Sequence, residues 1–179
     1  METPQVPNAS PTPKPPNNRF QTVNFVPAKA GEILKLGTIQ IRIIEDGSRT
    51  DNRIGVAEFI VPPHTSGPPP HWHEMHDEFF FTTQGTMRFH GLQGETVDAK
   101  LGDSVTVPTR SPHTFSNPFD EEAKFLNTYT PAHYINYFKL LSTLGEAGKP
   151  MSPEANRKAM AYFATIGVSD DEMKMQKEA

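Results

Sequence analysis

The chain of 179 residues contains no cysteine, which excludes a disulfide framework and a thiolate metal site. It has no run of Lys and Arg, and its net charge of −4 argues against nucleic-acid binding. No apolar segment is long enough to span a bilayer, and residues 1–16 lack the apolar stretch of a secretory signal. We therefore expect a cytoplasmic protein that acts on a small molecule, without a nucleic-acid or membrane partner.

Three regions differ in their sequence pattern. Residues 1–18 carry six prolines and almost no large apolar side chain, which predicts a disordered arm. Residues 19–131 alternate polar and apolar positions, as in Ile39, Ile41 and Ile43. They contain seven or eight short strand patterns with a turn signal about every ten residues, which is typical of an all-β sandwich or barrel.

Residues 132–179 form the third region, where apolar positions recur at helical spacing. The first predicted helix covers residues 132–144 and stops at Gly145. Pro153 opens a second helix that ends at Gly167, and Ser169 looks like the cap of a third. We expect these helices to pack outside the barrel, cover a sheet edge, or build the subunit contact of a homodimer.

A histidine and carboxylate pattern gives the first indication of function. His71 and His73 share one face of an extended strand, because successive side chains on a strand point to opposite sides. Glu78 lies an odd number of positions beyond His73, so we expect a bend over residues 74–77 that turns Glu78 towards the same centre. His113 follows a loop stiffened by two prolines. These four residues are the predicted metal ligands.

The ligand chemistry narrows the choice of metal without deciding it. Three imidazole nitrogens and one hard oxygen, without thiolate, suit Fe(II), Mn(II), Ni(II), Cu(II) or Zn(II). A six-coordinate ion with four protein ligands keeps two positions for substrate or dioxygen, whereas a four-coordinate zinc would be closed and structural. Structural zinc sites are usually rich in thiolates, so the absence of cysteine favours the open site.

These segments resemble the paired signature motifs of the cupin superfamily. The first motif fits at His71, His73, Glu78 and Gly85, and the second at Gly102, Pro108, His113 and Asn117. The resemblance covers about residues 35–131 and implies an all-β double-stranded β-helix, the cupin jelly-roll barrel, that holds a metal near its axis. Arg110 stands where the family usually has glycine, which puts the shape of that turn in question.

Strand parity suggests which other residues face the cavity. Phe80 shares the inward face with Glu78, and Phe115 and Tyr129 are further candidates for substrate binding on the same ground. His76 lies in the predicted bend and is expected either to support the site or to face the substrate. Glu78 is the candidate catalytic residue: it either stays a metal ligand or takes a proton from a substrate hydroxyl. Histidines without a spacing argument are expected to be surface or supporting residues, namely His64, His90 and His133.

Within the superfamily, the PPPHWHEMHDE segment resembles small single-domain cupin-2, quercetin dioxygenase-like proteins. That resemblance implies a metal-dependent dioxygenase that acts on an aromatic or polyketide-like molecule, with Fe(II) as the first choice of metal. Two alternatives stay open. One is a non-redox isomerase, cyclase or decarboxylase with the metal as Lewis acid, and the other is a metal-dependent binding protein without turnover.

Overall fold

The computed structural model describes residues 22–146 and 153–174. The predicted arm at residues 1–18 lies outside the described residues. Within the described ranges, no helix combines the length and apolar character needed to cross a membrane.

Twelve strands, three α-helices and two short 3-10 helices make up the described residues. The strands are β1 (Glu32–Leu36), β2 (Ile39–Glu45), β3 (Gly55–Val61), β4 (Thr65–Ser66), β5 (His71–His73), β6 (Asp77–Gln84), β7 (Thr86–His90), β8 (Thr96–Lys100), β9 (Ser104–Val107), β10 (Thr114–Asn117), β11 (Ala123–Thr130) and β12 (Thr165–Gly167). The α-helices are α1 (Ile135–Glu146), α2 (Pro153–Tyr162) and α3 (Asp170–Lys174). The 3-10 helices are Leu92–Gly94 and Ala132–Tyr134.

Two antiparallel sheets form the body of the fold. One has the strand order β1-β2-β3-β11-β6-β9 and the other β4-β10-β7-β8, while β12 and β5 pair separately. Burial alternates along β3, β6 and β11, so one face of each strand points into the interior. This arrangement agrees with the predicted all-β double-stranded β-helix.

Aromatic side chains join the two sheets across the core. Phe59 and Phe125, on the larger sheet, stack with ring centroids 4.8 Å apart. From the smaller sheet, Phe115 meets Phe125 at 5.2 Å in an edge-to-face arrangement, and Phe89 meets it at 6.2 Å. These offset and edge-on geometries are the favoured ones for aromatic pairs. The core therefore lies between the sheets, directly behind the strands that carry the predicted ligands.

The first two helices end at residues other than those predicted. Helix α1 continues through Gly145 to Glu146, and among the described residues outside the helix backbone no atom lies within 4 Å of the place where a β-carbon on Gly145 would stand. Helix α2 begins at Pro153 as predicted but ends at Tyr162, not at Gly167. Ala164 has a left-handed φ of 51°, which stops the helix, and the chain then continues as β12.

The predicted cap of the third helix is present in the structure. The hydroxyl of Ser169 accepts a hydrogen bond from the backbone N–H of Glu172 at 3.3 Å. The Glu172 carboxylate in turn accepts one from the Ser169 backbone at 2.7 Å. This reciprocal pair is a capping box at the start of α3.

Candidate metal centre

The predicted ligands come together from β5, from β6 and from a bridge residue just before β10. His71 and His73 are buried on β5, and His113 lies beside His71 because the two backbones exchange N–H···O hydrogen bonds of 3.1 and 2.9 Å. The ring nitrogens of these three histidines lie within 4.8 Å of one another. Glu78 completes the group, with Oε2 at 3.2 Å from Nε2 of His113 and Oε1 at 3.5 Å from Nε2 of His73.

Glu78 reaches this centre because the chain bends between β5 and β6. Residues 74–76 leave the strand conformation, and β6 restarts at Asp77. From there Glu78, Phe80 and Thr82 are all buried, while the alternate residues are more exposed. The odd spacing between His73 and Glu78 predicted a bend, and the structure has a bend at that place.

Each ligand histidine is held through its Nδ1 atom. Nδ1 of His71 lies 2.8 Å from the carbonyl of Pro69, and Nδ1 of His113 lies 2.9 Å from the carbonyl of Ser111. A carbonyl only accepts, so both Nδ1 atoms carry the proton. Nδ1 of His73 lies 3.0 Å from the hydroxyl of Thr165. These contacts direct all three Nε2 atoms inward, as an orienting partner does for a metal-bound imidazole.

The residues present fit a divalent transition metal. Nε2 of His73 is buried and has no hydrogen-bond partner among the described residues. A buried polar atom without a partner costs roughly 1–3 kcal/mol, so such atoms are rare unless a ligand satisfies them. A bound cation would supply the missing contact. With Glu78 as the oxygen donor, the set is the nitrogen and oxygen mixture that suits Fe(II), Mn(II), Ni(II), Cu(II) or Zn(II).

The pKa values of the three ligand histidines are shifted in different directions. Burial, followed by the nearby charge of His113, lowers the pKa of His71 to about 4. Burial also lowers the pKa of His73, to about 2, so both imidazoles are neutral at pH 7 and keep a free lone pair. Burial acts to lower the pKa of His113 too, but the contact with Glu78 outweighs it and the pKa is raised. His113 must therefore lose its Nε2 proton to act as a ligand.

The Glu78 carboxylate is ionised in this setting. Burial by itself raises the pKa of Glu78, but its contacts with His113 and His76 and the charges of the surrounding histidines outweigh that effect. The result is a pKa well below the ordinary glutamate value of 4.5. An ionised carboxylate at the centre suits a metal ligand better than a proton donor.

His76 lies against the predicted metal ligands. It is buried, its ring centroid is 4.0 Å from that of His73, and its Nε2 is 3.6 Å from Oε1 of Glu78. The donor atoms of His73, His76 and Glu78 form a second group within 4.8 Å. His76 is not among the residues that line the neighbouring cavity. It therefore stands behind Glu78 as a further imidazole of the centre.

A cavity of about 270 Å³ adjoins the metal ligands. His71, Glu78 and His113 form part of its wall. Three of the four predicted substrate-binding residues line it as well, namely Phe80, Phe115 and Tyr129. Its described lining contains no Lys or Arg. The described lining is thus largely aromatic and apolar beside the predicted metal ligands.

The sequence did not indicate that the helical region would close this cavity. Tyr134, Tyr137, Phe138 and Leu141 line it from the 3-10 turn and α1, and Asn156 and Met160 line it from α2. The helices lie outside the strands, as expected, but their inner faces supply part of the wall. Helical periodicity marked these apolar positions without indicating what they would face.

Two phenols add polar groups to the apolar wall. Tyr129 and Tyr134 are buried, and burial, followed by the charge of Glu78, raises both pKa values well above 10. The side-chain amide of Asn127 donates to the hydroxyl of Tyr129 at 2.8 Å. Both phenols are therefore neutral, and the phenol of Tyr134 also hydrogen-bonds the side chain of Thr165.

Arg110 keeps a turn of the kind that glycine would favour. Its φ is 63°, in the left-handed region that glycine adopts without strain, and its backbone N–H donates to the carbonyl of His73 at 2.8 Å. The guanidinium is exposed and forms an ion pair with Glu74. Arg110 thus faces solvent and does not line the cavity.

The remaining histidines lie outside the ligand groups. His64 is exposed and lies 3.1 Å from Asp120, and His90 lies 2.9 Å from the hydroxyl of Ser116. The ring of His133 packs 5.2 Å from that of Phe163.

Comparisons with known proteins agree with this geometry. The family model Cupin_2, described as a cupin domain, matches residues 57–129. No curated protein shows a significant match to the chain.

Several solved structures resemble the chain. The polyketide cyclase RemF from Streptomyces resistomycificus is 23% identical over 61% of this chain and 80% of its own, with a TM-score of 0.55. KdgF from Halomonas sp. is 20% identical over 62% and 94%, with a TM-score of 0.54. A cupin-superfamily sugar phosphate isomerase from Silicibacter pomeroyi is 26% identical over 51% of this chain, with a TM-score of 0.47. This chain spans 59% of the isomerase.

Proposed function

The chain belongs to the cupin superfamily, and on this premise we propose that it is a metal-dependent enzyme acting on a neutral aromatic or polyketide-like small molecule. One observation carries the proposal. Three inward-facing imidazoles and an ionised carboxylate meet beside an aromatic cavity that has no Lys or Arg among its described lining residues.

His71, His73, Glu78 and His113 would hold the metal, with Fe(II) as the first choice. The metal would supply a Lewis acid or a centre for dioxygen activation. His71 and His73 provide neutral donors, while Glu78 offsets part of the positive charge. Glu78 either remains a ligand or takes a proton from a substrate hydroxyl.

The cavity walls would bind and orient the substrate. Phe80 and Phe115 offer ring faces against which a flat molecule can pack, and they help to exclude water from the centre. Tyr129 would donate a hydrogen bond to a substrate oxygen, because its hydroxyl stays protonated and the residue lines the cavity. Such a site would favour planar substrates with a carbonyl or phenol.

For the reaction, we propose an oxidative, dioxygenase-type conversion first. A non-redox cyclisation, isomerisation or decarboxylation is the second candidate. It is favoured by the two buried phenols, Tyr129 and Tyr134, which stay protonated and could stabilise charge on a substrate oxygen by hydrogen bonding without any change of oxidation state. In both reactions the same four residues hold the metal.

Metal binding is tested first. Protein purified without chelator is analysed for bound metal, and His113→Ala is compared with His64→Ala, a matched change at an exposed histidine. We expect His113→Ala to lose metal and His64→Ala to keep it. Equal metal content in His113→Ala and the wild type would contradict the proposed centre.

Oxygen dependence then separates the reaction classes. Oxygen uptake is followed with a flavonol or catechol as substrate, in air and under strict anaerobiosis. Consumption of dioxygen with product formation supports the oxidative reaction, whereas unchanged turnover without oxygen supports the non-redox reaction. Tight binding of the aromatic compound without turnover in either condition would show a binding protein and end the enzyme proposal.

A further inference from the structure

We propose that Thr165 is a positioning residue of the metal centre, through which the helical region outside residues 57–129 controls metal affinity. The inference rests on the proposed metal centre and deepens it. Thr165 lies on β12, 92 positions from His73 along the chain, yet its hydroxyl is 3.0 Å from Nδ1 of that histidine.

Strand pairing places the two side chains together. β12 runs antiparallel to β5, with Thr165 opposite His73 and Gly167 opposite His71. The flanking hydrogen bonds run from Glu74 N–H to the carbonyl of Ala164 at 2.9 Å and from Val168 N–H to that of Pro70 at 2.9 Å. Because hydrogen-bonded and non-hydrogen-bonded pairs alternate, Thr165 and His73 form a non-hydrogen-bonded pair, in which side chains approach most closely.

The Thr165 hydroxyl has three polar neighbours. Oγ1 donates to the carbonyl of Phe163 at 3.3 Å and also hydrogen-bonds the side chain of Tyr134. A hydroxyl oxygen has two lone pairs, so Oγ1 can still accept the Nδ1 proton of His73. This keeps the proton on Nδ1 and leaves the Nε2 lone pair for a metal. Thr165 and His73 are both almost fully buried, so water cannot easily replace the hydroxyl.

This contact differs from those of the other ligand histidines. His71 and His113 are oriented by the backbone carbonyls of Pro69 and Ser111, which substitution cannot remove. Of the three predicted histidine ligands, His73 alone relies on a side chain for its Nδ1 contact. A partner of this kind typically contributes about 10- to 100-fold to metal affinity.

The test uses Co(II) as the probe, with binding followed by titration of the metal-free full chain and by the d–d absorption spectrum. Thr165→Val keeps the shape and removes the hydroxyl, Thr165→Ser keeps the hydroxyl, and Ile166→Ala changes a half-exposed side chain of the same strand. Urea unfolding of each metal-free variant reports on docking of the strand.

We expect Thr165→Val to bind Co(II) about 10- to 100-fold more weakly with an altered spectrum, and Thr165→Ser and Ile166→Ala to stay close to the wild type. Wild-type affinity in Thr165→Val would overturn the inference. Equal weakening in all three variants would also overturn it, because the strand and not the hydroxyl would then matter. Failure of the wild-type chain to bind Co(II) would instead refute the proposed metal centre itself.

Discussion

Ala164 offers a sharp test of how the helical region is joined to the metal-binding strand. It follows the end of α2 with φ of 51°, and its carbonyl accepts the hydrogen bond from Glu74 that starts the β12–β5 pairing. A left-handed conformation costs a residue with a β-carbon about 1–2 kcal/mol, and glycine avoids that cost. Glycine also raises the conformational entropy of the unfolded chain, which lowers the free energy of unfolding by about 0.4–1 kcal/mol.

The difference predicts that Ala164→Gly raises the free energy of unfolding by about 0.5–1 kcal/mol. For a chain of this size, the melting temperature should rise by about 1–4 °C. Ala161→Gly is the matched control, because Ala161 is an exposed residue within α2. There the same change should cost about 0.5–1 kcal/mol.

Urea unfolding and thermal melts of the metal-free variants, followed by circular dichroism, measure both effects. The two identical chemical changes should have opposite signs although they lie three positions apart. A loss of stability in Ala164→Gly, or the same sign in both variants, would refute the assignment of backbone strain to Ala164. Co(II) affinity should be unchanged in Ala164→Gly, because the backbone hydrogen bonds of β12 are retained.

Two further predictions concern the core and pH. Phe125→Ala should lower the free energy of unfolding by about 3–5 kcal/mol, because Phe125 is fully buried between the sheets. The control variant Phe81→Ala, at a partly exposed position of β6, should lower it far less. Similar losses for the two variants in urea unfolding would contradict the proposed core. The folded-state pKa values of His71 and His73, about 4 and about 2, lie below the unfolded value of 6.5. Each should therefore remove roughly 1.4 kcal/mol of stability per pH unit as the pH falls from 6.5 towards 4. The raised pKa of His113 adds stability only as the pH falls to 6.5, so it reduces the difference between pH 7 and pH 5 without changing the slope below 6.5. Metal-free protein should melt at a lower temperature at pH 5 than at pH 7, and a constant or higher melting temperature at pH 5 would contradict these shifts.

The ligand-bearing strands could be predicted from sequence because they depend on short-range periodicity. His71 and His73 share a face through their two-residue spacing, and the odd step to Glu78 required the bend that the structure has at residues 74–76. Phe80, Phe115 and Tyr129 were placed on the cavity wall by the same alternation, and all three line it. The homodimer stays a prediction, because the structure describes a single chain.

The helical region was harder to predict because helix ends depend on contacts far along the chain. Gly145 was expected to end α1, yet the helix continues through it, because helix propensity disfavours glycine by only about 1 kcal/mol. Residues 165–167 were expected to be helical, but they pair with β5. Their local sequence carries no sign of that partner, because it lies more than 90 positions away.

Local pattern by itself determined the all-β class, the four candidate ligands and the inward aromatic residues, because strand alternation and motif spacing operate within a few residues. Only the tertiary structure decided that His76 stands behind Glu78, that the face of α1 closes the cavity, and that Thr165 orients His73. These relations join segments that are distant in sequence. They depend on how the sheets and helices pack, which no local spacing records.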